Sequence, residues 1–305
     1  MQKDLPNTQS QMKSDFSSIS PTAKLVAYFR EFTDIPCAKD VARIIDAKTV
    51  TETLCPDPVM LNDLKKFVAP AVEARYKSMI SAIKTTGIHQ VLELASGLSF
   101  RGIVMTTDPD MLYAETDLPA LTREKMSVVE QIPVLQQAYQ RPNLFVDAVD
   151  ALSISDLNHA LRHFDPKKPI AVVHEGLYMY LSRTEKETLA NNIKEILSRF
   201  GGVWITPDFM VEAEMQQLMN QPRVRSVMDS MTTSIATLTG RDLRQDQFKD
   251  QCELSNFFEK LDYKFTTYPQ IDGSYKLSSL KTFPMTENHL NVLKEALRLW
   301  ILRLR

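Results

Sequence analysis

The chain has 305 residues, 44% of them hydrophobic, enough to bury a sizeable core in one α/β domain or one domain with insertions. Basic residues number 36 against 38 acidic ones, a formal charge of −2 with no long basic run, which argues against a nucleic-acid backbone as partner. Membrane-length apolar stretches are absent, and Cys37, Cys55 and Cys252 lack CxxC spacing, which fits reduced thiols in a cytoplasmic compartment rather than a disulfide framework.

The first eighteen residues, MQKDLPNTQSQMKSDFSS, are polar, lack the apolar segment of a signal peptide and are expected to form a flexible terminus. A single domain is expected over 19–305. Its first layer, 19–88, is helical: Ala23, Val26 and Ala27, then Val41, Ile44 and Ile45, then Leu61, Leu64, Phe67 and Val68, then Val72, Tyr76, Met79, Ile80 and Ile83 recur at helical spacing. Ser20 before Pro21 is a good helix start, because proline at the first helical position gives up no hydrogen bond. Lys24 and Arg75 lie on these helices, where a solvated charge is the ordinary outcome.

Gln90–Leu94 reads as a buried strand that breaks into the small-residue turn Ala95-Ser96-Gly97, where glycine lets the backbone approach a ligand. A second apolar run, Met111–Ala114, ends in Glu115-Thr116-Asp117. A carboxylate therefore stands just past the second strand, about where doubly wound folds hold a ribose. Only Gly97 and Gly102 are glycine here, so the G-x-G-x-x-G turn that takes a pyrophosphate is missing, which weighs against a nicotinamide oxidoreductase.

A helix over ALTREKMSVVEQIPVLQQAY leads to a third strand at Asn143–Val146, ending at Asp147-Ala148 with Asp150 soon after; either aspartate also suits a helix cap. Ile170–Val173 forms the fourth strand and runs into His174-Glu175-Gly176, which brings Glu175 to the crevice bordered by the central strand ends. Tyr178 and Tyr180 follow. His174 is a candidate base, weighed against a packed, hydrogen-bonded histidine. VWITPDF is the fifth strand, and the methionine-rich stretch within 209–258 is expected to form a helical lid over the cleft. Tyr263–Tyr268 is the sixth strand. Leu299–Leu304 is the seventh, after the helix ENHLNVLKEAL, with one continuous helix as the alternative. His159 and His163 have i,i+4 spacing but lack the glutamate of HExxH, so no metal site is expected.

ELASGLSFRG, YAETDLPALTREK and HEGLYMYL, in this order, resemble class I S-adenosylmethionine-dependent methyltransferases of the leucine carboxyl methyltransferase family and its bacterial O-methyltransferase relatives. The resemblance runs from about Ser20 to the C-terminus. It implies a three-layer, Rossmann-like α/β fold with a seven-stranded, mostly parallel sheet, an antiparallel last strand, an N-terminal helical layer and a helical lid. It also implies S-adenosyl-L-methionine as cofactor, leaving as S-adenosyl-L-homocysteine, without a metal. Lys24 and Arg75 would hold the methionine carboxylate, Asp117 the ribose hydroxyls, and Asp147 with Ala148 the adenine, Asp150 being the alternate. Glu93, Ala95, Gly97 and Leu118 complete the implied cofactor pocket, and Glu175 would meet the methionyl ammonium or the cleft wall. Glu175, Tyr180 and His174 are the candidate catalytic residues. The expected acceptor is a small molecule or a peptide carboxylate, methylated on a carboxylate or hydroxyl oxygen; nucleic acid and membrane are not expected partners, and a cytoplasmic monomer is. A non-catalytic, cofactor-binding regulatory module is the rival reading.

Overall fold

Every residue of Gln90–Leu94 (β1) and of Ile170–His174 (β4) is buried, as apolar runs without polar alternation demand of strands covered on both faces. The computed structural model describes residues 20–209 and 246–305, with 211, 212, 216, 225, 229, 232, 233 and 236 between them. Leu112–Asp117 (β2), Leu144–Ala148 (β3) and Gly202–Thr206 (β5) pair parallel with β1 and β4, and Tyr263–Pro269 (β6) and Arg298–Leu304 (β7) complete one sheet. Its order is β3-β2-β1-β4-β5-β7-β6, with β7 antiparallel to both neighbours, as expected for this fold. The order reverses between β1 and β4, which opens a crevice at the carboxyl ends of those strands.

Successive side chains of a strand point to opposite faces, and here each face feeds its own core. Val91, Ala171, Val173, Val203 and Ile205 pack with the N-terminal helices Ser20–Arg30 (α1), Ala38–Ile44 (α2), Ala47–Leu54 (α3) and Pro58–Thr86 (α4). Leu92, Leu94, Ile170, Val172 and Trp204 pack on the other face with Leu189, Ile193 and Leu197 of Arg183–Phe200 (α9) and with Leu254 and Phe258. The helices between are Arg101–Met105 (α5), Pro119–Val129 (α6), Pro133–Ala138 (α7) and Ile154–Ala160 (α8).

Local chemistry sets the helix limits. Asp57 accepts from the amides of Val59 and Met60 before Pro58, and Gly87 ends α4 at φ 68°. Such a cap contributes about 1 kcal/mol. Ser182 and Glu185 form a reciprocal capping box at the start of α9.

Two strands run further than their apolar runs suggest. β2 continues through Glu115, Thr116 and Asp117, and β3 through Asp147 and Ala148, because their backbones stay in register, Thr116 with Asp147 and Asp117 with Ala148. The expected lid over 209–258 falls largely outside the described residues; within that range Gln251–Lys260 is a helix and Val211 bridges to Phe248. The terminus at 1–18 also lies outside them. Among the described residues no helix is long and apolar enough to cross a membrane.

Candidate active site

The turn after β1 is held by its neighbour strand. Ser96 donates its amide to the Thr116 carbonyl at 2.9 Å, and Gly97 donates to Oδ2 of Asp117 at 2.7 Å. The other oxygen of Asp117 accepts from the Leu118 amide at 2.8 Å. Ala95 and Gly97 both sit in the left-handed region, at φ 49° and 50°. A left-handed alanine is uncommon and marks a backbone bent for a purpose. Burial pushes the Asp117 carboxyl up from its ordinary value, and the two amide bonds oppose that.

Gly102 serves packing instead. A Cβ there would stand 2.5 Å from Leu144 Cδ1 and 2.7 Å from Glu115 Oε1, so only glycine lets α5 lie against the sheet.

Beside the turn a buried line of alternating charge runs Glu93, Arg101, Glu175, Arg30. Arg101 is fully buried and bridges Glu93 and Glu175, while Arg30 meets Glu175 at 2.7 Å. Tyr113 donates to Glu93 at 2.8 Å, and both guanidinium groups lie over the Tyr76 ring, 5.1 Å for Arg101 and 5.8 Å for Arg30. Burial pushes the Glu175 carboxyl up, but Arg30, Arg101 and then Arg75 outweigh it, so the group stays ionised with its pKa lowered. Arg75 is half-buried, and its Nε has no hydrogen-bond partner among the described residues.

Asp208, just after β5, shapes the loop that carries Glu175. Its carboxylate accepts from the amides of Gly176 at 2.8 Å, Leu177 at 2.8 Å and Tyr178 at 3.1 Å, and from Nδ1 of His174 at 2.9 Å. Burial would raise its pKa; the hydrogen bond and charge of His174, with Arg75 and the Gly176 amide, outweigh it and leave about 2.

These groups open on a cavity of about 600 Å³. Of the expected residues, Arg75, Glu93, Ala95, Gly97, Asp117, Leu118, Glu175 and Tyr180 line it. Tyr180 hydrogen-bonds Thr22, and burial pushes its phenol up. Four others stand elsewhere. Lys24 lies off the α1 face that carries Thr22, Val26 and Arg30 into the cavity, and pairs with Glu124 at 3.3 Å. Asp147 lies within the lengthened β3 on the same face as Phe145, where His163 stacks on the ring and bonds the carboxylate at 2.8 Å, with Arg162 at 2.6 Å. Ala148 is exposed, and the alternate, Asp150, lines the cavity in their place. His174 is fully buried against Tyr178 and Trp204 and bonds Asp208, and it does not reach the cavity wall. Arg30, Asp208 and, from α9, Lys186 also line the cavity and escape a reading of the sequence; Asp208 alone carries a signal, an acid two residues past a central strand.

Residues 58–194 match the model of the family described as leucine carboxyl methyltransferase. Over this segment, somewhat less than half of its length, the chain is similar to that family. The matched segment begins with α4 and ends within α9, and so contains Arg75, Asp117 and Glu175. A protein of Mycobacterium ulcerans described as a "putative S-adenosyl-L-methionine-dependent methyltransferase" is 30% identical over 159 residues, 51% of this chain and 49% of that protein. One of Mycolicibacterium gilvum with the same description is 26% identical over 217 residues, 63% and 68% of the two chains. The matched stretch spans about half the length of the first of these relatives. Among solved structures, a DUF574 family protein from Streptomyces avermitilis superposes with a TM-score of 0.58 at 11% identity, over 93% of this chain and 97% of that one. A "putative methyltransferase" from Thermobifida fusca gives 0.53 at 14%, over 92% and 94%. These structures share the Rossmann-like fold of the segment and its flanks.

Proposed function

We propose that the chain is an S-adenosylmethionine-dependent methyltransferase that transfers a methyl group to a carboxylate or hydroxyl oxygen of its acceptor. The observation that carries this reading is the Gly97–Asp117 pair at the crevice. Each Asp117 oxygen spends one acceptor site on an amide and keeps another for a ribose hydroxyl. A Cβ on Gly97 would meet nothing within 4 Å, so the turn leaves room for a ligand against its backbone.

The residues present fit the cofactor. Arg75, with a buried Nε lacking a partner, suits a carboxylate, and Asp150 stands on the cavity wall beyond β3 for the adenine. Glu175 keeps one acceptor site on each oxygen beside its two arginines, enough for an ammonium. The cofactor, when bound, supplies an activated methyl on a sulfonium. What remains for the protein is alignment and exclusion of water. Glu175 is fixed by Arg30 and Arg101, and its loop by Asp208, so the strand-end groups are held in place by the protein's own bonds. No protein base is required if the acceptor oxygen is ionised at neutral pH, as a carboxylate is.

Support for the reading also comes from the family match and from the relatives' descriptions. The test is calorimetry with S-adenosylhomocysteine and with NAD, followed by mass spectrometry of acceptor mixtures incubated with deuteromethyl cofactor. Binding of S-adenosylhomocysteine and transfer of a labelled methyl to oxygen is the expected result. Binding without transfer to any acceptor would favour a regulatory module, and binding of NAD alone would overturn the proposal.

A further inference from the structure

We propose that Lys186 binds an anionic group of the acceptor and makes the far half of the cavity selective for acids over their neutral analogues. This rests on the methyltransferase reading of the same cavity. The cavity has two ends set by the sheet order. Asp117 and Asp150 stand at the ends of β2 and β3, whereas Lys186 meets it from α9, which packs on β4 and β5, with Tyr178, Phe209 and Phe248.

Lys186 is 3% exposed and lines that second end. Its Nζ donates to the Asp246 carbonyl at 2.5 Å, and the Tyr178 and Phe248 rings stand 5.7 and 5.9 Å away. An ammonium has three N–H groups, and one carbonyl with two ring faces leaves two of them without an oxygen acceptor among the described residues. Among the described residues no carboxylate forms an ion pair with it. The nearby acids are otherwise engaged: the Asp246 carboxylate accepts the Arg183 amide at 3.2 Å, Glu185 closes the helix cap, and Glu212 on the cavity wall takes the Gln216 amide at 3.1 Å. Arg183, the neighbouring cation, is spent on Glu253 at 2.6 Å and on the Phe248 ring at 4.2 Å.

A buried, unpaired ammonium is costly, and burial holds the Lys186 pKa down to about 8, the Asp246 charge opposing and Arg183 adding to the effect. An acid entering this end would supply the missing partner, and its apolar body would face aromatic walls.

The experiment measures calorimetric affinities of 3-phenylpropanoate and 3-phenylpropan-1-ol for the full chain at neutral pH, with and without saturating S-adenosylhomocysteine. Wild type, Lys186→Met and Lys186→Arg are compared, each also titrated with S-adenosylhomocysteine alone. The wild type is expected to prefer the acid by about tenfold or more, Lys186→Met to lose that preference and Lys186→Arg to keep part of it, a charge pair being the difference. Unchanged S-adenosylhomocysteine affinity in both variants shows that fold and cofactor half are intact. No acid binding by the wild type, no preference for it, or a preference that survives in Lys186→Met overturns the assignment. Failure of S-adenosylhomocysteine to bind wild type sinks the methyltransferase reading instead, and the acid preference measured without it is read separately.

Discussion

Gly97 donates its backbone N–H to Oδ2 of Asp117 at 2.7 Å, which ties the turn after β1 to the last residue of β2. The bond makes one rigid cradle out of two strand ends. Binding therefore needs little reorganisation at this point.

Asp117→Asn should remove most of the thermal stabilisation given by S-adenosylhomocysteine. An amide turns one acceptor into a donor that must face the N–H of Gly97 or Leu118, and a buried donor left unpaired costs about 1–3 kcal/mol. Differential scanning fluorimetry with and without ligand reads both effects. A full ligand-induced shift in the variant would remove Asp117 from the cofactor site.

Arg75 and Lys24, alike on sequence, should separate cleanly. Arg75→Ala is expected to weaken S-adenosylhomocysteine binding by about 2–5 kcal/mol, as for a desolvated charge pair. Lys24→Ala, outside the cavity and half-exposed beside Glu124, should change it by less than about 0.5 kcal/mol. Equal losses in calorimetry would mean that Lys24 reaches the ligand after all.

His174→Gln is expected to lower the melting temperature through the loss of its bond to Asp208, and to leave the shape of the turnover–pH profile unchanged. The positioning role predicts a shared effect with Asp208→Asn rather than two additive ones, because both act through the Gly176–Tyr178 loop. A proton-transfer limb that vanishes in His174→Gln would restore it as a base.

Acid should unfold the protein through two carboxyls. Asp208 and Glu73 both have folded-state pKa values of about 2; for Glu73, burial raises the value, and Lys77, Ser279 and Ser278 outweigh that. Unfolded carboxyls titrate near 4, so below that pH the unfolded chain binds more protons than the folded one. Their stabilisation is complete at neutral pH and is lost as pH falls from about 4 through about 2. Denaturant unfolding at stepped pH should show that loss, and a shallower one in Glu73→Gln. An equal slope in the variant would place the acid sensitivity elsewhere.

The strands are legible in the sequence because burial on both faces writes itself as an unbroken apolar run, and the meeting of Gly97 with Asp117 because each marks the point where such a run stops. Which of Asp147 and Asp150 lines the cavity is not legible: it turns on two extra residues of β3 pairing, which depend on β2 and not on local composition. Arg30, Asp208 and Lys186 are charged residues whose burial follows from partners 145, 34 and 60 positions away, Glu175, His174 and Asp246. The burial of His174 is illegible for a related reason. A strand end fixes where a residue lies along the sheet, but its face was settled by Tyr178 and Trp204 packing beneath.

Strand β7 lies between β5 and β6, and through it alone β6 joins the sheet. The hairpin-like neighbour of β6 thus arrives after the intervening helix, and Thr206 must wait for Trp300 before its own edge is covered. Closing such distant pairs is entropically slow, so the final assembly of this side is expected to limit the rate of folding. Until then β5 presents Trp204 and Ile205 on an open edge, the kind of surface on which nascent chains stick to one another.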